Sequence, residues 1–185
     1  LVIVQLVGMA RQREADDVRA RARGTWAASA DAYERGIVEY VEARALSVPD
    51  DTLMETARLA KALLRADRHY LDGRVVPMPS PAEYNFFFTH DLLVTDLGAV
   101  RFDPERVRDD LRYVQSLADA DHVLPHAYYW RDGAYLVEPA GSDNWNHLWF
   151  ILTANAYLRH TADTATVAGL FPILRKSLAL MLENE

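Results

Sequence analysis

The chain has 185 residues, half of them hydrophobic and a quarter charged, with a net charge of −7 at pH 7 and no cysteine. That is ordinary globular composition with room for one domain. An acidic balance excludes phosphate-backbone recognition, which needs clustered Lys and Arg, and disfavours an anionic membrane surface, while the lack of cysteine excludes disulfides and thiolate metal sites and leaves the compartment open.

Leu1 to Met9 is apolar but far shorter than the ~20 residues that span a bilayer, and no basic stretch precedes it as in a signal peptide. Leu1-Val2-Ile3-Val4-Gln5-Leu6-Val7 is rich in β-branched residues and reads as a buried strand. Arg11 to Arg23 and Ala28 to Ala45 read as two helices. Asp50 and Asp51 cap a third, with Leu53, Ala57, Ala60 and Leu64 on one face, ending near Tyr70 before the turn Asp72-Gly73. Arg74 to Thr89, with Pro77, Pro79 and Pro81, reads as irregular, and a short helix runs from about His90 to Ala99. Asp103-Pro104-Glu105 is a strong helix start, with a capping acid, proline in the first turn and an acid against the dipole. Val107, Leu111, Val114 and Ala118 form its apolar stripe. Asp119 to Gly141 is a second irregular stretch containing a hairpin-like Tyr129 to Tyr135. Helices over Ser142 to His160 and Asp163 to Glu183 complete the chain, the last burying Val167, Leu170, Leu174, Leu178 and Met181. The first residue is Leu and the chain ends at Asn184-Glu185 straight off a helix, so it is expected to be a segment of a longer protein.

Short connections alternate with long aromatic loops, and most aromatic residues lie between Tyr84 and Phe150. Long loops on a rigid helical scaffold are where binding residues concentrate. Two constellations stand there. In Tyr84-Asn85-Phe86-Phe87-Phe88-Thr89-His90-Asp91, aromatic rings lead to a carboxylate at a helix start. Sugar rings stack their C–H faces on aromatics while a carboxylate accepts hydrogen bonds from vicinal hydroxyls. The competing reading makes the phenylalanines core and Asp91 a cap. In the second, His126, Tyr128, Tyr129 and Trp130 are followed by Ser142-Asp143-Asn144-Trp145-Asn146-His147-Leu148-Trp149. Here Ser142 or Asp143 could simply cap a helix with Trp149 and Phe150 packed inward. Asn144, Asn146 and His147 are poor helix formers with no evident packing purpose, which leaves the binding and the capping readings of this turn evenly matched. The spread of His69, His90-Asp91, His122, His126 and Asp143 in a helical chain loosely resembles the HD-type metal phosphohydrolases. Pro125 keeps His122 and His126 from sharing a helical face.

At these same loops the chain resembles the six-hairpin glycosidases of the glucoamylase and amylo-alpha-1,6-glucosidase type. Tyr84 to Asp91 is similar to that family's aromatic stretch ending in an Arg-Asp pair, with His90 where arginine is usual. Asp121-His122-Val123-Leu124-Pro125-His126 and Asp143 to Ile151 are similar to its next hairpin, and Tyr157 to Asp163 to its Tyr-x-x-x-Thr-Gly-Asp turn, with Ala162 in place of glycine. The resemblance covers roughly 45 to 185. It implies an all-α fold, a partial (α/α)6 barrel spanning 46–185, linker helices over 10–45, and a strand over 1–9 left from a preceding β-sandwich. It implies hydrolysis of an O-glycosidic bond in an alpha-glucan or related oligosaccharide, with no cofactor or metal. The substrate-binding set is Tyr84, Asn85, His90, Asp91, His126, Trp130, Asp143, Asn144 and Trp145, with Trp130 and Trp145 forming a wall. The catalytic acid is expected past Glu185, and the expected partners are the oligosaccharide and the remainder of the barrel, with no nucleic acid and no membrane. Outside this family, an HD-type phosphohydrolase or a non-catalytic helical interaction module are the alternatives.

Overall fold

A computed structural model describes residues 15–72, 74–77 and 86–183. The expected strand at Leu1 to Val7 and the candidate residues Tyr84 and Asn85 lie outside the described residues. Six helices dominate what is described, joined by short strands in two small sheets. The chain is therefore predominantly helical, in line with the all-α expectation, with two small sheets added to the helices.

Helix α1 runs unbroken over Ala15–Ala43, where two helices were expected. Its alanines carry the helix through Gly24, and Thr25 satisfies its hydroxyl on the Arg21 carbonyl instead of ending the helix. Among the described residues only its last turns are anchored. Tyr40 donates to the Asp103 carboxylate at 2.7 Å, Val41 is buried, and Glu42 pairs with Arg58 of the next helix. Helix α2, Asp51–Ala66, is capped by Asp50, which accepts from the Leu53 amide. Its expected apolar face is largely uncovered by the described residues: Leu53 is 56% exposed, and of the four only Leu64 packs on the core.

Helix α2 stops at Ala66, short of Tyr70, because Arg68–Leu71 (β1) pairs antiparallel with Arg74–Pro77 (β2) around a turn at Asp72, whose φ is 50°. Tyr70, Val75 and Val76 suit a strand better than a helix. The stretch expected to be irregular thus holds half a hairpin, and at its end Phe87–Phe88 (β3) pairs with the later strand β4, Pro125–Arg131. β4 turns back into β5, Ala134–Pro139, through Asp132 and Gly133, both at positive φ. That is the two-residue turn whose twist matches a hairpin, and the sheet order is β3-β4-β5.

Helix α3 covers Thr89–Ala99. Helix α4, Pro104–Leu117, begins as expected, with Asp103 accepting from the Arg106 amide and Pro104 in the first turn. Helix α5, Asn146–Thr161, starts one turn later than expected, and α6 covers Thr164–Leu182. α5 is the hub, packing against α3, α4 and α6. The core is built where these meet the β3-β4-β5 sheet: Phe87, Leu93, Val107, Leu111, Val114, Leu124 and Phe150 are fully buried. α6 is long and apolar enough, by length and composition, to cross a membrane. It buries Leu170, Ile173 and Ser177 and leaves Leu178 exposed, so only part of its expected face is covered by the described residues.

The junction of α5 and α6 is tied by Asp163. Its carboxylate accepts from the Thr166 amide and hydroxyl and from Tyr157, which holds it down at about 2. One residue earlier Ala162 sits in the left-handed region at φ 56°, where a Cβ is unfavourable and glycine is usual. Ala162→Gly should therefore raise unfolding stability by about 1 kcal/mol, read as a higher urea midpoint. An unchanged or lower midpoint would show that Ala162 bears no strain.

Candidate functional site

A buried charged group underlies the site. Asp96 of α3 is fully buried, and Arg106 of α4 approaches its carboxylate at 3.8 Å while donating to Asp110 at 3.2 Å. Arg106 also donates to the Leu64 carbonyl at the end of α2, and Arg68 of β1 grips Asp110 at 3.2–3.3 Å. Five elements thus converge on Arg106 or its partners once Asp103, on the N-cap of α4, and its partner Tyr40 are included. Burial raises the Asp96 carboxyl well above its ordinary range, and the Asp110 charge adds to this against the pull of Arg106. Burial also raises Asp110, with Arg68 and Arg106 opposing. For Arg106, burial works against the charge, but Asp110 and Asp96 outweigh it and hold the guanidinium above its usual value.

Arg106 also forms part of the wall of a cleft of about 250 Å³ shared with His90, Asp91 and Thr95 of α3, with Asp67 and Leu64 after α2, and with Pro77. Asp91 is an exposed acid in the first turn of α3, where it favours the helix dipole. It does not cap that helix: the N-cap is Phe88, which makes no side-chain capping bond. His90 reaches across to α5, its ring 5.9 Å from that of Trp149. Among the described residues the Trp149 indole nitrogen is buried without a hydrogen-bond partner.

Beside this cleft lies an aromatic and amide patch. Antiparallel register places Phe88 opposite Ala127, so Phe86, Phe88 and Tyr129 share one face of the sheet. Phe86 packs edge-on against both Phe88 and Tyr129. A bulge between Pro125 and Ala127 lets His126 join them, 5.7 Å from the Phe88 ring. The His126 Nδ1 faces the amide nitrogens of Asn144 and Asn146 at 3.4 and 3.5 Å. Two donors on Nδ1 assign the proton of the neutral ring to Nε2.

The expected residues therefore divide. His90 and Asp91 share the cleft, and His126 and Asn144 share the patch. Trp145 is 66% exposed at the start of α5, and the exposed Asp143 carboxylate folds back over Gly141, within 2.9 Å of where a Cβ would stand there. Trp130 is on the other face of the sheet, edge-on to Tyr135, which in turn stacks on Tyr128. Strand alternation sends Trp130 with Tyr128 and away from Tyr129, on the face opposite Phe86 and Phe88. Tyr128 instead donates to Asp72 at 2.5 Å and docks this hairpin on the β1–β2 turn.

Asn146 and His147 also correct an expectation, because both are fully buried and structurally employed. Asn146 donates to the Pro125 carbonyl. His147 sits between the Gly141 carbonyl and Ser177, and burial lowers its pKa. Neither Ser142 nor Asp143 caps α5; the Asn144 side chain accepts from the Asn146 amide in that role. Among the described residues no three His, Asp or Glu side chains gather closely enough to hold a metal ion. His90, His122 and Asp143 stand exposed, separate from the partly buried His126. Phe86, Phe88, Tyr129, Trp149 and Arg106 are site residues that spacing did not single out. Period-2 alternation from Phe86 would have found the first two, but nothing local in the sequence marks Arg106.

No protein-family model, no curated protein and no solved structure matches the chain.

The raised Asp96 carboxyl sets a pH dependence. The folded chain holds a proton there that the unfolded chain releases above about pH 4, so this group's contribution to stability falls as pH rises from there. Asp96→Asn should shrink the loss of urea stability between pH 4 and pH 7. An identical pH profile in the variant would show that Asp96 ionises normally.

Proposed function

We propose that this chain is part of a six-hairpin glycosidase, contributing the sugar-binding wall for an alpha-glucan or related oligosaccharide. The observation that carries this reading is the cleft shared by His90, Asp91 and Arg106, with the Trp149 indole against His90. An exposed carboxylate accepts hydrogen bonds from neighbouring hydroxyls of one sugar ring, and an indole beside it offers a surface for the ring's C–H face. His90 stands where the resembled family has arginine, and Arg106, entering the same cleft from α4, supplies a guanidinium to it. The Phe86, Phe88, Tyr129 and His126 patch extends the wall for a further sugar unit.

Binding, rather than bond cleavage, is assigned to these residues. The two carboxyls of an inverting hydrolase stand about 6.5–9.5 Å apart, and this reading places the catalytic acid past Glu185. The arrangement as one part of a larger (α/α)6 barrel is supported by the outer face of α5 and α6. There Ile151, Leu158, Phe171, Leu174 and Leu178 line an apolar groove of about 300 Å³, with Phe171 60% exposed. Apolar surface of that kind marks an association face, and the remaining hairpins of a barrel would cover it.

Tryptophan fluorescence titrated with maltooligosaccharides tests the assignment. A saturable change, unaffected by chelator and weakened about tenfold or more by Asp91→Ala, is expected, since tenfold corresponds to one lost hydrogen bond to a charged group. A folded chain that shows no change at millimolar sugar, or a change that needs added metal, would overturn it.

A further inference from the structure

Between the β1–β2 hairpin and α4 lies a second cavity of about 350 Å³. Its polar lining is basic: Arg68 and Arg74 from the hairpin, and Arg112 with Ser116 and Tyr113 from α4. Two acids also line it, and each is already matched. Asp110 accepts from both Arg68 and Arg106, and Asp109 pairs with Arg108 at 3.0 Å. Arg74 and Arg112 make no ion pair among the described residues. Arg74 donates to the Ser116 hydroxyl at 3.3 Å and lies 5.9 Å from the Tyr113 ring centre, and Arg112 donates to Thr166 at 3.2 Å. Each guanidinium has five N–H donors, so these contacts leave donors over.

Tyr113 is the second observation. The residue is 9% exposed, its ring packs edge-on against Phe87, and its buried hydroxyl has no hydrogen-bond partner among the described residues. Burial pushes this phenol's pKa upward, so it holds its proton and is a donor at neutral pH. A buried hydroxyl left unpaired is a penalty that native structures seldom carry without a reason.

We propose that this cavity binds a phosphate group, held by the Arg74 and Arg112 guanidiniums and by the Tyr113 hydroxyl. Donors approaching from two elements and from the cavity wall suit an anion with acceptor oxygens in several directions; a planar carboxylate is satisfied by one arginine fork. The cavity is larger than a bare ion requires, which leaves room for the organic part of a phosphate monoester. The site is independent of the sugar reading, since it shares no lining residue with the His90–Asp91 cleft.

Isothermal titration of the folded chain with inorganic phosphate, a hexose monophosphate and acetate tests the proposal. Saturable binding of phosphate is expected, weakening as salt rises. Arg74→Gln and Arg112→Gln should each weaken it tenfold or more, and Tyr113→Phe, which keeps the ring on Phe87, severalfold. Tighter binding of the ester assigns the site to phosphate esters, and tighter binding of the free ion assigns it to phosphate itself. Asp91→Ala should leave the titration unchanged, so this result stands apart from any sugar result. Circular dichroism confirms that each variant is folded. No saturable phosphate binding, equal binding of acetate, or affinity unaffected by all three substitutions would overturn the proposal.

Discussion

Arg106 is clamped between Asp96 and Asp110 inside the fold, and the positions of α2, α3, α4 and β1 relative to one another depend on that clamp. A guanidinium buried this deeply is tolerated because the Asp110 carboxylate and the Leu64 carbonyl accept from it while the Asp96 carboxyl stands beside it, and removing one partner of a buried ion pair costs about 3–5 kcal/mol. An apolar replacement could hold the helices together equally well. It could not also present a guanidinium to the cleft beside His90 and Asp91. The sequence places five residues around this point that are individually poor choices for a core: Arg68, Asp96, Asp103, Arg106 and Asp110. Their mutual pairing turns a costly interior into one that fixes a cleft.

The same helix, α4, contributes to two chemically distinct cavities. Arg106 looks toward a cleft with a free-standing carboxylate and an indole nearby, and Arg112, Tyr113 and Ser116 look toward a basic cavity under the β1–β2 hairpin. Asp110 touches both sides through Arg106 and Arg68. The hairpin is itself held by the later β4–β5 hairpin, where Tyr128 and Tyr135 close on Asp72. Tyr128 is pushed up to about 12, by burial first and by Asp72 second, and so remains a donor to that acid.

How far the sequence disclosed this depends on the range of the interactions. Caps at Asp50, Asp103 and Asp163 were legible because a capping acid acts within three residues, and all three accept the expected amide hydrogen bonds. The α4 stripe Val107, Leu111 and Val114 followed from period, and all three are fully buried. The β1–β2 hairpin was hidden because Arg68 to Leu71 continues the helical pattern of α2, and only pairing with Arg74–Pro77 decides against it. His90 and Asp91 stood out from local chemistry at a helix start, and both line the same cleft. For Asn146 and His147 the sequence left a binding and a structural role open, because their partners, Pro125, Ser177 and Gly141, are brought in only by the fold. Trp130 falls on the face of the sheet that carries Tyr128 and Tyr135, a placement set by strand register that composition does not encode.

A crystal structure of the chain soaked with maltotriose tests the central claim most directly. The account predicts a glucose ring in the cleft between α3 and the end of α2, its vicinal hydroxyls on the Asp91 carboxylate and its neighbour toward Trp149. An ordered sugar on another face, or a cleft empty at saturating sugar, would contradict it.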